Sequence, residues 1–324
     1  MDIYVKKAII HQFSPDDTDL YLADKFLNIT PKIEEYLRKK IERVYSDEAR
    51  TGIFEEDNPF LEMISDDLLE TSVAVANRWK EEFVVSENQK TNDLVFIQFS
   101  KEGVEHFAFL RIALRETLTH LGGEVDNPIK LTQNNLPGFG TGADEALVIN
   151  LQSRKYHLIE KRIKYNGTFL NYFSENLLQA QPKISPKKSI KALEKTAQKI
   201  AESFNTDDFQ FQSKVKSAIF NHIEEENKLS PEKLADDLFD DNLTARLSFI
   251  DQVKEAVPEP VTFEEIDASR QLKKFENQKL SLSNGIELIV PNNVYEDAES
   301  VEFILNENGT YSILIKNIED IQSK

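Results

Sequence analysis

Apolar residues recur along this chain at two spacings, one helical and one extended. After Thr30-Pro31 come Ile33, Leu37, Ile41 and Val44; after Ser185-Pro186 come Ile190, Leu193, Ala197, Ile200 and Phe204. Steps of three and four keep such positions on one face of a helix. In both cases the Ser or Thr offers a capping hydroxyl, and the following proline loses nothing by lacking an N–H in the first turn. Ser230-Pro231 carries the same signature. Asn58-Pro59 opens a further helix, read through Leu61, Ile64, Leu68 and Val75 towards Trp79. Another runs from about Asp208 to Glu226, with Phe211, Val215, Ile219 and His222 on one face.

The extended rhythm lies towards both ends. Leu94 to Phe99 and Val104 to Leu114 flank Lys101-Glu102-Gly103 and read as an antiparallel hairpin. Ala146 to Leu151 and Tyr156 to Ile163 read as two more strands. Leu280 to Ile289 alternates around Asn284-Gly285, a strong hairpin signal, and Val301 to Leu305 pairs with Tyr311 to Ile315 across Asn308-Gly309. The expected class is α+β: an N-terminal mixed α/β domain with antiparallel hairpins over 1–166, a helical region over 167–258 and a small antiparallel β-rich unit over 259–324. Val257-Pro258-Glu259-Pro260-Val261 is the best linker candidate, because prolines at that spacing oppose helix continuation.

With 324 residues the chain has room for about two domains. It carries 39 Lys+Arg against 57 Asp+Glu, a net charge of −18, which excludes a uniformly basic DNA coat and disfavours binding to an anionic membrane through overall charge. Cysteine is absent, so disulfides, thiolate metal sites and cysteine nucleophiles are ruled out. No stretch has the length and apolarity of a signal peptide or a membrane span, and the expected location is cytoplasmic. The sequons at Asn28, Asn166, Asn242 and Asn308 then carry no glycosylation.

The charge is unevenly spread. Residues 1–152 hold 16 basic and 28 acidic side chains, residues 153–199 hold 11 and 3, and residues 200–324 hold 12 and 26. On the helix after Pro186, Lys187, Lys188, Lys191, Lys195 and Lys199 fall opposite the apolar stripe. Four of them are successive i,i+4 neighbours, which repel by a few tenths of a kcal/mol per pair. Ammonium groups about 6 Å apart can track a phosphate backbone; the plainer alternative is a solvated lysine face. A second basic group, Arg154, Lys155, Lys161, Arg162 and Lys164, is interleaved with Tyr156, His157 and Tyr165. Aromatics between basic residues suit single-strand stacking, while the same alternation fits an edge strand guarded by charge.

Motifs for catalysis are sparse. The loop Leu136 to Asp144 contains Gly138, Gly140 and Gly142, permissive enough to cradle a phosphate, but it lacks the Lys-Ser/Thr of a P-loop and precedes a strand. It is expected to be a mobile or sharply turned connection. His11, His106, His120, His157 and His222 show no metal-ligand spacing, and His222 reads as a packed histidine. Asp236-Asp237 and Asp240-Asp241 read as an exposed acidic helix. Neither an active site, a metal site nor a cofactor is nominated.

Taken together, Ala8 to His11, Val44-Tyr45-Ser46, Gly52-Ile53-Phe54, Leu147 to Leu151 and the two C-terminal hairpins resemble the 37-kDa nucleoid-associated protein family of bacteria, the NdpA-like family. The resemblance spans nearly the whole chain and implies a non-enzymatic protein found with the bacterial chromosome, as a homodimer. Three functional readings follow: direct, non-specific DNA binding through the ten basic residues named; an acidic adaptor that reaches the nucleoid through protein partners; and a phosphate-ester enzyme using the Gly138–Gly142 loop.

Overall fold

In the computed structural model, residues 2–16, 18–86, 90–120, 129–205, 209–263 and 265–322 are described. They form two compact units that meet in sequence at Ser185 and Pro186. The fold is α+β.

Unit one is built on a fully antiparallel seven-stranded sheet in the order β2-β1-β4-β5-β8-β9-β3. Its strands are β1 (Ile3–Ser14), β2 (Asp19–Tyr21), β3 (Arg50–Ile53), β4 (Asn92–Lys101), β5 (Val104–Ala113), β8 (Glu145–Asn150) and β9 (Lys155–Ile159). Both faces are covered, so the central strands carry continuous apolar runs, Leu94 to Ile97, Phe107 to Leu110 and Ala146 to Ile149, instead of alternating. On one face Leu94, Phe96, Phe107 and Phe109 pack with Val75, Trp79 and Phe83 of α3 (Leu68–Phe83). On the other, Val95, Ile97, Phe99, Ala108 and Leu110 pack with Leu37 and Ile41 of α1 (Pro31–Glu42). The β4–β5 turn has Glu102 at φ 53° and Gly103 at φ 81°, the left-handed pair that a two-residue hairpin with right-handed strand twist needs.

Several expectations are revised here. The helix read from Asn58 to Trp79 is two, α2 (Pro59–Glu62) and α3. Between them Ser65 N–H donates to Thr71 Oγ1 at 2.9 Å, and Asp67 caps Leu69 N–H at 2.8 Å, so side chains that bond local backbone end one helix and begin the next. The Tyr156–Ile163 strand breaks after Ile159, where Glu160 accepts from Arg50 and from Ser174 N–H and Oγ at 3.0 and 2.8 Å. A short hairpin follows, β10 (Ile163–Tyr165) and β11 (Thr168–Leu170), across Asn166-Gly167. Unexpected too is the hairpin of β6 (Arg115–His120) and β7 (Ile129–Asn135), which continues from β5 and is exposed along nearly its whole described length.

Unit two packs α4 (Pro186–Ser203), α5 (Phe209–Glu226), α6 (Pro231–Leu238), α7 (Leu243–Lys254) and α8 (Glu265–Phe275) around one core. Asp208, the expected start of α5, lies outside the described residues. The Val257–Val261 stretch is part of this core: Val257 and Val261 are buried, and Val261, in β13 (Val261–Thr262), pairs with Leu229 of β12 (Lys228–Leu229). α7 already ends at Lys254, before the prolines, and the valines on either side of them dock. Two hairpins complete the unit, β14 (Asn277–Ser281) with β15 (Glu287–Pro291) and, after α9 (Asn292–Tyr295), β16 (Val301–Leu305) with β17 (Tyr311–Ile315). Buried Gln278 donates to Ser213 O at 3.2 Å and Asn292 Oδ1 at 2.7 Å, fastening the first hairpin to α5; Phe303 and Tyr311 set the second against Phe209. No described helix is long and apolar enough to cross a membrane.

Candidate nucleic-acid interface

The apolar stripe of α4 is buried as its spacing requires: Ile190, Leu193, Ala197 and Ile200 sit in the core of unit two. That burial fixes the helix about its axis and turns the lysine sector outward. Lys188, Lys191, Lys195 and Lys199 are exposed and Lys187 is half-buried. Lys199 Nζ donates to Gln252 Oε1 of α7 at 3.0 Å, a neutral partner that leaves its charge unopposed, and Lys187 has an intrachain partner. Lys188, Lys191 and Lys195 form no ion pair or hydrogen bond with any described residue. Glu194 on the same helix is half-buried and interacts electrostatically with Lys216 of α5 and with Lys191. On this one helix face, three exposed ammonium groups without an ion pair gather positive charge in a chain of net charge −18.

The second basic group lies in unit one and is largely engaged. Arg154 approaches Glu56 at 3.7 Å, Lys161 approaches Asp144 at 3.4 Å, and Arg162 donates to Phe169 O at 2.6 Å. Lys155 and Lys164 also have intrachain partners. The interleaved aromatics are not stacking platforms. Tyr156 is 1 % exposed. Its ring covers Gly52, its partner across β3 and β9, so closely that a Cβ on Gly52 would lie 2.3 Å from the hydroxyl. His157 packs on Tyr45 with centroids 4.6 Å apart, and Tyr165 donates to Glu82 Oε2 at 3.0 Å. The ten basic residues therefore fall into two groups of different character, one in each unit.

The Gly138–Gly142 loop is not a free connection. Lys40 of α1 is fully buried and donates to the carbonyls of Pro137, Gly138 and Thr141 at 3.4, 2.9 and 2.5 Å. Tyr36 adds a fourth tie, donating to Pro137 O at 3.0 Å. Burial, with the like charges of Arg43 and Arg115, lowers the Lys40 ammonium to about 8, against the pull of Asp144. Three carbonyl oxygens converging on a cation make this loop a cradle for an ammonium group, the reverse of the N–H array that a phosphate needs.

The histidines take structural places. His11 accepts from Ala23 N–H at Nδ1, 3.0 Å, which leaves Nε2–H to donate to Ser72 Oγ at 3.0 Å; burial pushes the imidazole down to about 4. His106 bonds the Val104 carbonyl at 2.9 Å and His222 bonds Asp237 at 2.6 Å. Three of the four aspartates flanking Leu238-Phe239 meet basic partners, Asp236 with Arg246, Asp237 with His222 and Asp240 with Lys214. No group of three metal-ligating side chains occurs among the described residues.

Sequence reasoning missed the main buried polar chain. Arg111 donates to Glu145 Oε2 at 2.7 Å and to Asn92 Oδ1 at 2.8 Å, Tyr172 donates to the same carboxylate oxygen at 2.5 Å, and Trp79 Nε1 donates to Tyr172 at 3.0 Å. Burial, with the Glu145 charge beside it, pushes the Tyr172 phenol well above its ordinary value. Arg111 inside the apolar run of β5 and Glu145 at the head of β8 were the visible signal.

A family model described as nucleoid-associated protein YejK matches residues 9–321. The chain belongs to that family. The resemblance drawn from the short segments and C-terminal hairpins thus holds across nearly the whole length. No curated protein matches the chain.

Proposed function

We propose that this family member is a non-enzymatic protein that binds DNA without reading its sequence, and that the lysine row of α4 makes the contact. The supporting observation is the set Lys188, Lys191 and Lys195, exposed on one helix face and without an ion pair among the described residues, in a strongly acidic chain. Positions four apart on a helix advance by about 6 Å, so the row can follow one phosphate strand. Lysine is a point charge without the bidentate fork that discriminates base edges, which suits backbone contact. Membership of a nucleoid-associated family is consistent with such a role. Homodimerisation would present the row twice; apolar surface left open on β6–β7 (Leu118, Ile129 and Leu131) and on β16–β17 (Leu305, Tyr311 and Leu314) is available for it.

Changing Lys187, Lys191, Lys195 and Lys199 together to Glu tests the reading. The account expects loss of a gel shift with the fold retained by circular dichroism. An unchanged shift would remove α4 from the interface. A wild-type protein that shows no shift but co-purifies with DNA-bound basic proteins would instead establish the adaptor, which the −18 charge favours.

A further inference from the structure

The loop that holds Lys40 has a second face. Its peptide bonds are trans, so each carbonyl and the N–H that follows it point in opposite directions. The carbonyls of Pro137, Gly138 and Thr141 turn inward to the Lys40 ammonium, and the N–H groups of Gly138, Phe139 and Gly142 therefore point away from it. None of these three N–H groups bonds to a described residue. Nothing inside the fold requires glycine at 138, 140 and 142. None of the three has a left-handed φ. A Cβ would meet nothing within 4 Å at Gly138, and only Arg43 at Gly140 and Gly142, at 4.0 and 3.8 Å. Glycine costs chain entropy, and bare backbone in open space is what close approach by a group outside the chain requires.

The charge over that face is positive. The Arg43 side chain crosses the loop, Cδ beside Gly142 and Nη2 beside Gly140. It is exposed, and its guanidinium forms no ion pair or hydrogen bond with a described residue. Arg115 stands across from Asn135 at the root of the β6–β7 hairpin, also exposed and unpaired among the described residues. Two nearby carboxylates are already engaged: Glu42, beside Arg43 in sequence, by Arg38 at 2.7 Å, and Asp144 by the Ala113 N–H at 2.9 Å and Lys161 at 3.4 Å. Burial and then the like charges of Arg43 and Arg115 lower the Lys40 ammonium, against the pull of Asp144. An anion outside the loop would relieve that crowding.

We propose that the outer face of residues 138–142, with Arg43 laid across it, is a phosphate-binding site, the guanidinium supplying charge and the loop N–H groups further donors. The site lies in unit one and is independent of the α4 row. A backbone phosphodiester and a nucleoside monophosphate offer it the same oxygens, and the test separates these two sources.

That test is amide NMR on the full chain at constant ionic strength, titrated with inorganic phosphate, a nucleoside monophosphate or a mixed-sequence duplex. Saturable shifts of the Gly138, Phe139 and Gly142 amides are expected with inorganic phosphate, and Arg43→Gln should weaken that binding about tenfold. Gly138→Val, which sets a branched side chain beside the donors, should weaken it as well. Its thermal unfolding should stay at or slightly above that of wild type, which a purely structural role for this glycine would not allow. If the source is a nucleic-acid backbone, the duplex moves the same amides, and its log–log salt slope becomes shallower by about one in Arg43→Gln. If the source is a free nucleotide, the monophosphate moves them and the duplex does not. No saturable shift with any of the three probes, or a phosphate affinity unaltered by Arg43→Gln, would overturn the proposal while leaving the α4 reading intact.

Discussion

Replacing Arg111 by Met should be among the most damaging single changes in unit one. The two partners of the Arg111–Glu145 pair are 3 % and 0 % exposed at their side chains, so water cannot replace either one. Without the guanidinium, Glu145 Oε2 keeps only the Tyr172 hydroxyl, and Glu145 Oε1 already has no hydrogen-bond partner. Leaving a buried carboxylate so poorly compensated costs about 3–5 kcal/mol, a large share of the roughly 5–15 kcal/mol that holds a domain folded. The double variant Arg111→Met/Glu145→Gln removes both charges and should recover at least half of that loss. Urea unfolding followed by fluorescence reads the effect directly, because the chain's single tryptophan, Trp79, donates to Tyr172 at the end of the same chain of bonds. A loss below about 1 kcal/mol for the single variant, or a double variant as unstable as the sum of the two singles, would refute the argument.

Three further outcomes are expected. Gly52→Ala places a Cβ 2.3 Å from the Tyr156 hydroxyl and 2.5 Å from its ring, so it should destabilise unit one by about 1–3 kcal/mol in the same urea assay; a neutral result would mean that the ring does not cover this glycine. His11 stays neutral in the fold down to about 4, while in the unfolded chain it takes up a proton near 6.5. Stability should therefore fall by about 3 kcal/mol as pH drops from 6.5 to 4, with no further contribution from His11 below that; a native-state NMR titration of the His11 imidazole near 6.5 would contradict this. Lys40→Met removes the ammonium from three loop carbonyls, leaving Pro137 O with Tyr36, Gly138 O with Thr141 N–H and Thr141 O without its lysine donor, and hydrogen exchange over residues 136–143 should speed up markedly; unchanged protection would show that the ammonium does not hold the loop.

Helices α4, α5 and α6 and both C-terminal hairpins were legible because their signals are local: Ser-Pro starts, three-four spacing and Asn-Gly turns; α7 and α8 were not read, and α8 lies in the stretch expected to be β-rich. The single helix expected from Asn58 failed because apolar spacing alone does not register that Ser65 and Asp67 bond the backbone and restart the chain. The β6–β7 hairpin escaped because its residues are largely polar and exposed, with no buried face to impose a period on the sequence. Lys40 was unreadable for a different reason: nothing near it in sequence marks a burial that depends on carbonyls about a hundred positions away. In the site, the lysine sector of α4 followed directly from the helical repeat. Telling it apart from the 154–164 group required knowing which cations already face a carboxylate, a property of tertiary contacts. Tyr156 shows the same limit, since a strand aromatic reads alike whether it covers a glycine or stands ready to stack a base.

Whether a few lysines gathered on one helix let an acidic chain hold DNA is read most simply from duplex affinity of the wild-type protein as a function of salt. Four or five phosphates neutralised by the α4 row predict a log–log slope of about −4, with binding at low salt that disappears towards high salt. No binding at the lowest salt, or an affinity that does not change with salt, would contradict the account.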